Sequence, residues 1–135
     1  MSDQDLRKAG LKVTLPRTKI LQILEKADPH HMSAEMVYQR LLDMGQDVGL
    51  ATVYRVLTQF EAAGLVKRHN FEGGHSVFEI DAGEHHDHLV CMNCGMVEEF
   101  IDEVIEAQQT RIAQKTNFKM TDHRLTIYGH CSKCG

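Results

Sequence analysis

Apolar residues recur every three to four positions in three segments of the first half of the chain, a spacing typical of amphipathic helices. Pro16 suits the first turn of the first helix, and the Asp28-Pro29 pair ends it. Ser33 is a good N-cap for the second helix, Gly45 stops it, and the third helix covers residues 51–63. Their apolar faces carry Ile20, Ile23, Leu24 and Ala27; Val37, Tyr38, Leu41 and Met44; and Val53, Val56, Leu57 and Phe60.

After Gly64 the period of the pattern changes from that of a helix to that of a strand. Residues 65–69 and 75–80 alternate like two strands, and the glycine-rich segment 72–74 predicts the turn between them. Three helices followed by a hairpin is the order of a winged helix-turn-helix, which we assign to residues 1–80. Residues 81–83 are the best candidate for a linker, or hinge.

The second half, residues 84–135, predicts a smaller α/β domain. Strands are expected over 86–91 and 96–101, a helix over 102–116, and a long strand over 118–128. The predicted fold class is therefore α+β. Two small domains each have a thin core, and thin cores usually need a metal, disulfides or a partner chain.

Charge is unevenly placed along the chain, although the net charge is only −4. Residues 1–69 have ten Lys or Arg against eight Asp or Glu, whereas residues 70–135 have five against eleven. The acidic half is also the half with all four cysteines. A divalent cation would relieve carboxylate repulsion there, so metal binding and stability are expected to be linked.

The N-terminus has no apolar signal segment, and no run of residues approaches the roughly 18 apolar residues of a membrane span. We therefore expect a cytoplasmic protein with no membrane partner. In that reducing compartment thiols bind metals more readily than they form disulfides.

The cysteines form two C-x-x-C pairs, Cys91 with Cys94 and Cys131 with Cys134, each followed by glycine. Two such turns can complete a tetrahedron of thiolates around Zn²⁺, which predicts a structural zinc site. The main alternative is a thiol redox pair, but the strand-helix context of thioredoxin-like proteins is missing.

The segment His85-His86-Asp87-His88 precedes the first cysteine pair directly. Alternate residues of a strand face opposite sides, so His86 and His88 share one face while His85 and Asp87 share the other. Glu106, at the margin of the predicted helix, and His123 can complete a second set with His85 and Asp87. The competing interpretation is a solvated polar turn, and His69 and His75, beside the predicted wing, are assigned no ligand role.

The outer face of the third helix presents Thr52, Tyr54 and Arg55. In a helix-turn-helix this helix enters the major groove, where arginine can bind guanine and tyrosine a phosphate or a thymine methyl. Lys12 and Arg17 are candidate phosphate partners. The competing interpretation is an ordinary solvated helix face.

Both halves together resemble the ferric uptake regulator family nearly from end to end. The matching segments are LKVTLPR at 11–17, HHMSAE at 30–35, GLATVYRVL at 49–57, RHNFEGG at 68–74 and HHDH at 85–88. The resemblance implies a winged-helix domain, a small α/β dimerisation domain, and a homodimeric, metal-dependent repressor of iron-acquisition genes that binds an A/T-rich palindromic operator. Pairing of dimers into tetramers stays open.

The resemblance also implies metal-ligand sets. The regulatory site that bridges the two domains would consist of His31, Glu79, His86, His88 and Glu99. The second site would fall on His85, Asp87, Glu106 and His123, and the four cysteines match a structural zinc site of one subtype.

Peroxide-sensing relatives have aspartates at the positions of Glu79 and Glu99, so glutamate at both favours an Fe²⁺ sensor. Mn²⁺ or Zn²⁺ can substitute at mixed histidine and carboxylate ligands, and zinc-, manganese- or nickel-sensing branches remain alternatives.

Two other classes of protein remain as rivals. A small zinc hydrolase would need an open metal position and a substrate pocket, for which a domain of this size has little room. A metal-storage protein or metallochaperone would leave Tyr54 and Arg55 without a use. We therefore expect no enzymatic activity and no small-molecule substrate.

Overall fold

A computed structural model describes residues 3–27, 31–81 and 85–134, and the chain divides into two compact units, Met1–Ala82 and Gly83–Gly135. The first unit contains α1 (Asp3–Lys8), α2 (Leu15–Glu25), α3 (Ala34–Asp43), α4 (Leu50–Ala62), β1 (Val66–Phe71) and β2 (His75–Ile80). The second contains β3 (Asp87–Cys91), β4 (Val97–Phe100), α5 (Glu103–Lys115) and β5 (Thr126–Gly129). No helix of the described residues is long and apolar enough to cross a membrane.

The first unit has the helix, helix, helix, hairpin order that the sequence predicts, and its helix ends follow from local capping. Thr14 accepts a hydrogen bond from Arg17 N at the start of α2, and Ser33 accepts one from Met36 N at the start of α3. Gly45 ends α3 with φ of +75°, a conformation that glycine adopts at little cost. The predicted stop at Asp28-Pro29 lies outside the described residues; α2 itself ends at Glu25.

The core of this unit is formed by the apolar stripes of α2, α3 and α4 together with the wing. Ile20, Leu41, Leu57 and Phe60 are fully buried, as the helical periodicity requires. One further helix, α1, precedes the three predicted ones and buries Leu6 in the same core.

The wing is an antiparallel pair, β1 with β2, in which Lys67 lies opposite Glu79 and His69 opposite Val77. A short bridge joins Met32 to Phe78 through two backbone hydrogen bonds of 3.0 and 2.8 Å. This bridge fixes the segment before α3 against β2, so it also determines which side chains face the wing.

The second unit is a three-stranded sheet in the order β4-β3-β5, with α5 following β4. β3 pairs antiparallel with β4 and parallel with β5. Asp102 caps α5 by accepting hydrogen bonds from Val104 N and Ile105 N. The two units have the α+β fold class that the sequence predicts.

The long strand predicted over 118–128 is wrong. Only Thr126–Gly129 pairs in the sheet. Asn117, at φ of +59°, follows the last turn of α5, and Phe118 and Met120 are exposed where a strand pattern would bury them. Of the predicted hinge at 81–83, only Asp81 lies within the described residues, so the hinge stays a prediction.

Candidate metal centres and nucleic-acid interface

The four cysteines converge because β3 and β5 run parallel and adjacent. Cys91 ends β3, Cys94 lies on the turn after it, and Cys131 and Cys134 lie just after β5. The Sγ atoms of Cys94 and Cys131 are 3.7 Å apart, and all four Sγ atoms lie within 4.8 Å of one another. A tetrahedral ZnS₄ group with bonds of about 2.3 Å has sulfur–sulfur edges of about 3.8 Å, so the arrangement fits Zn²⁺.

The four sulfurs are not electrostatically equivalent. The backbone N–H groups of Cys94 and Cys131 each donate to Cys91 Sγ at 3.4 Å and lower the pKa of that thiol to about 5. Hydrogen bonding with Cys131 and Cys94 raises the pKa of the Cys134 thiol to about 12. Without metal, Cys91 is therefore the thiolate that the loop stabilises, and coordination would be needed to deprotonate the full set.

A second cluster joins β3, α5 and the segment before β5. His123 Nε2 lies 2.8 Å from Glu106 Oε2, and His85 Nε2 lies 3.3 Å from Glu106 Oε1 and 3.1 Å from Asp87 Oδ1. The rings of His85 and His123 are 4.3 Å apart between centroids. The structure thus brings His85, Glu106 and His123 together, with ligand atoms within 4.8 Å of one another, and the fourth predicted residue, Asp87, contacts this group through His85.

Asp87 shows that this cluster fits a cation. Its side chain is fully buried, and its Oδ2 has no hydrogen-bond donor among the described residues. A buried carboxylate oxygen without a donor is costly, and a positively charged ion beside it removes that cost. Two imidazoles and two carboxylates are also a donor set that several divalent ions accept.

Of the remaining candidate ligands of this unit, two lie on paired strands and the third, His86, directly precedes β3. His88 on β3 is directly opposite Glu99 on β4, and His86 Nδ1 lies 3.1 Å from Glu99 Oε2. His86, His88 and Glu99 are therefore neighbours, as the proposed regulatory set requires of its C-terminal half.

The N-terminal half of that set lies on the wing. His31 Nε2 is 3.3 Å from Glu79 Oε2, and His69 Nε2 is 2.6 Å from Glu79 Oε1. His69 was given no ligand role from the sequence, yet it contacts the predicted ligand Glu79. The hairpin pattern could have indicated this contact. Lys67 and His69 are two residues apart on β1 and face the same side, and Glu79 lies opposite Lys67 on β2, which is diagonal to His69. The side chain of His75 lies outside what the structure describes.

The predicted DNA-contacting residues lie around α4 and the start of α2. Lys12 and Arg55 are exposed, and Thr52 is partly exposed. Arg17 donates to the carbonyl of Lys12 at 2.9 Å and to Gln59 Oε1 at 3.0 Å, so it already connects α2 to α4.

Tyr54 has an internal partner as well. Its hydroxyl donates to Glu35 Oε1 at 2.7 Å, which joins α4 to α3. This hydrogen bond lowers the pKa of the Glu35 carboxyl and raises that of Tyr54. Tyr54 is still 41% exposed, so its ring remains accessible on the outer face of α4.

A winged-helix unit and a second unit with clustered thiol, imidazole and carboxylate ligands define a metal-binding protein with a fold suited to reading DNA. The chain belongs to the Ferric uptake regulator family, whose model matches residues 8–128.

Individual relatives match over almost the whole chain. The ferric uptake regulation protein of Legionella pneumophila is 70% identical over 97% of this chain and 96% of its own. That of Escherichia coli K12 is 61% identical over 95% of this chain and 86% of its own.

Solved structures agree in fold. The Vibrio cholerae ferric uptake regulator superposes with a TM-score of 0.90 at 57% identity, over 96% of this chain and 98% of that one. The Pseudomonas aeruginosa regulator with manganese gives 0.79 at 57% identity, covering 98% of both chains. The Francisella tularensis regulator with iron gives 0.86 at 42% identity, over 93% of this chain and 95% of that one.

Proposed function

We propose that this protein is an Fe²⁺-sensing homodimeric transcriptional repressor that binds A/T-rich palindromic operators of iron-acquisition genes in the cytoplasm. Regulators of this family bind DNA and act as dimers. The observation that supports an allosteric role most directly is where the predicted ligands lie: His31 and Glu79 are in the winged-helix unit, and His86, His88 and Glu99 are in the other.

This division of ligands explains how metal would control DNA binding. A bound divalent ion supplies one positive centre that imidazoles and carboxylates of both units can share. His31 and Glu79 would then be held in a fixed position relative to His86, His88 and Glu99. In a dimer this restraint sets the distance between the two α4 helices, and DNA binding depends on that distance because half-sites are one helical turn, about 34 Å, apart.

The other two metal sites have supporting roles. Cys91, Cys94, Cys131 and Cys134 would hold a structural Zn²⁺ that fixes β5 and the chain end to β3. The set of His85, Asp87, Glu106 and His123 lies in the second unit only, so it would stiffen that unit without restraining the winged helix directly. Metal at this second site would therefore change the metal concentration that operator binding requires, but it would not by itself activate operator binding.

The second unit carries the apolar surface that a dimer needs. Val104 and Ile112 on α5 are 70% and 62% exposed, and Phe118 just after the helix is 73% exposed. None of the residues of α5 is buried within the chain. Exposed apolar surface of this extent usually marks an interaction site, and a second copy of this unit is the partner we propose. Tetramers remain a further possibility for assembly.

The identity of the sensed metal rests on the ligand set. Glutamates at 79 and 99, with three histidines, give a mixed N/O set that accepts Fe²⁺, Mn²⁺ and Zn²⁺. Related structures contain iron, manganese or zinc. Fe²⁺ is the proposed physiological ion, and zinc, manganese and nickel are the alternatives to be compared with it.

A single experiment tests the function. A gel shift with an A/T-rich palindromic operator should show binding in Fe²⁺ or Mn²⁺ and at least fivefold weaker binding after chelation, since allosteric coupling is typically 1–3 kcal/mol. A scrambled duplex of the same composition is the control. Equal affinity with and without metal, or equal affinity for the scrambled duplex, would refute the proposal. The family is one of regulators, not enzymes, so the zinc hydrolase alternative is dropped.

A further inference from the structure

Within the winged-helix unit, two histidines from different segments approach one glutamate. β1 and β2 place His69 diagonally from Glu79 on the same face of the hairpin, where long side chains can touch. His69 Nε2 lies 2.6 Å from Glu79 Oε1. The wing alone therefore brings one imidazole nitrogen to one carboxylate oxygen.

The second histidine is positioned by the backbone bridge before α3. Because Met32 pairs with Phe78 in antiparallel sense, the preceding residue, His31, falls beside Glu79. His31 Nε2 lies 3.3 Å from Glu79 Oε2. The two imidazoles thus approach different oxygens of the same carboxylate.

The three side chains have the spacing of a metal site. Their donor atoms all lie within 4.8 Å of one another. Metal–nitrogen and metal–oxygen bonds of about 2.1 Å in a tetrahedral site give edges of about 3.4 Å. The contact of His31 with Glu79 at 3.3 Å has this spacing, and that of His69 at 2.6 Å would lengthen when an ion binds. The ring of His69 also stacks on Phe71, with centroids 6.1 Å apart and planes within 10°, which orients its Nε2.

We infer that His69 is a metal ligand, and that His31, His69 and Glu79 form a three-ligand site that holds a divalent cation within the winged-helix unit alone. The inference rests on the proposed function, in which His31 and Glu79 are ligands, and it adds a third ligand and an order of events. Three protein ligands plus water make an open site. The winged-helix unit would capture the ion first, and His86, His88 and Glu99 would then replace water and His69.

The inference predicts metal binding that survives loss of the other unit's histidines. We would replace His85, His86, His88 and His123 with alanine in the full-length chain and titrate it with Co²⁺, following visible absorption while zinc stays in the cysteine site. This four-histidine variant should still bind one Co²⁺. Adding His69→Ala should weaken that binding at least tenfold, since even outer-shell partners of metal ligands are worth 10–100-fold. Adding His130→Ala, an exposed histidine outside these clusters, should change nothing.

Two results would overturn the inference. One is a folded, zinc-containing four-histidine variant that binds no Co²⁺. The other is Co²⁺ affinity that is unchanged by His69→Ala, which would make the contact between His69 and Glu79 a purely structural hydrogen bond.

A second measurement uses the native chain and covers the case in which the four-histidine variant does not fold. The ¹⁵N resonance of His69 Nε2 should move toward a metal-bound position during the first additions of Zn²⁺ to protein whose cysteine site is already filled. An Nε2 resonance that does not move would refute the inference.

The two proposals fail differently. A native chain that binds its operator only with metal, but whose His69 never responds, would retain the proposed function and lose this inference. A chain that binds Co²⁺ through His69 but binds no operator under any condition would support this inference and refute the proposed function.

Discussion

At the scale of single residues, the cysteine site shows what spacing can predict and what needs coordinates. Two C-x-x-C pairs were enough to predict that the four thiols meet. They did not reveal that Cys91 Sγ, alone among the cysteine sulfurs for the residues that the structure describes, accepts hydrogen bonds from two backbone N–H groups, those of Cys94 and Cys131. This depends on where Cys131 lies after β5. Cys91 is consequently the sulfur whose loss should disturb the site most.

We expect Cys91→Ser to lose zinc and stability together, because structural zinc ligation contributes folding free energy of about 10 kcal/mol or more. Zinc content, dimer fraction in sedimentation and thermal unfolding would measure this. Ser132→Ala, in the exposed loop between the last two cysteines, is the matched control and should retain zinc. A Cys91→Ser protein with full zinc and unchanged unfolding would refute the structural site.

The hydrogen bond between Tyr54 and Glu35 gives a pH prediction. The Tyr54 hydroxyl donates to Glu35 and lowers the pKa of its carboxyl in the folded protein. The ionised carboxylate therefore stabilises the fold at pH values above the pKa that Glu35 has in the unfolded chain. This contribution is lost as the pH falls through the lower pKa of the folded state. Tyr54→Phe should raise the Glu35 pKa toward its ordinary value, and the free energy of unfolding should then decrease less steeply at acidic pH.

An NMR titration of the Glu35 carboxyl, with unfolding measured over the same acidic range, would check it. Tyr38→Phe on the same helix as Glu35 is the control and should leave the Glu35 pKa where it is. An unchanged Glu35 pKa in Tyr54→Phe would mean that the hydrogen bond does not persist in solution.

At the scale of elements, helices with a side-chain cap or a clear apolar period were predictable; α4 has no side-chain cap but was found from its period. Thr14, Ser33 and Asp102 mark the starts of α2, α3 and α5 chemically, so their positions follow from sequence. The six-residue α1 was missed because Leu6 is its only buried residue, which leaves no period to detect. The prediction of a strand over 118–125 was wrong because alternation of apolar residues does not by itself show that a segment pairs in a sheet.

The outer face of α4 is the element that should read DNA. Arg55→Ala should cost about 1–3 kcal/mol and relax operator preference if Arg55 binds a base, whereas Lys12→Ala should weaken binding to every duplex and reduce the salt slope. Binding to operator and to scrambled duplex over a salt series separates the two effects. If both variants bind the operator and the scrambled duplex as the parent does, α4 is not the recognition helix.

At the scale of the whole molecule, the sequence predicted the grouping of candidate ligands within each unit better than it predicted every contact among them. Strand alternation separated His86 and His88 from His85 and Asp87. The contact of His86 with Glu99, the pairing of His88 opposite Glu99 and the contact of His85 with Glu106 agree with that separation. The contact of His69 with Glu79 depends on the register of the hairpin alone. The approach of His31 to the same carboxylate also needs the Met32–Phe78 bridge, which no local pattern predicts.

The division of ligands between the units leads to the most discriminating prediction. His88→Ala and Glu79→Ala each remove a predicted ligand of the proposed regulatory set, one from each unit, and neither residue is a cysteine of the proposed zinc site. Each variant should therefore fold, keep zinc and dimerise, yet lose metal-activated operator binding. His123→Ala removes a predicted ligand of the second set, whose residues all lie in the second unit and in which His123 contacts Glu106. Its operator binding should need more metal but still reach the parent's level.

Titration of operator binding with Mn²⁺ in the parent and the three variants would measure both the midpoint and the plateau. A reduced plateau for His88→Ala and Glu79→Ala with a shifted midpoint for His123→Ala is the expected pattern, because only ligands contributed by both units can couple metal to the position of α4. Abolished activation in His123→Ala beside intact activation in His88→Ala would mean that the regulatory role belongs to His85, Asp87, Glu106 and His123.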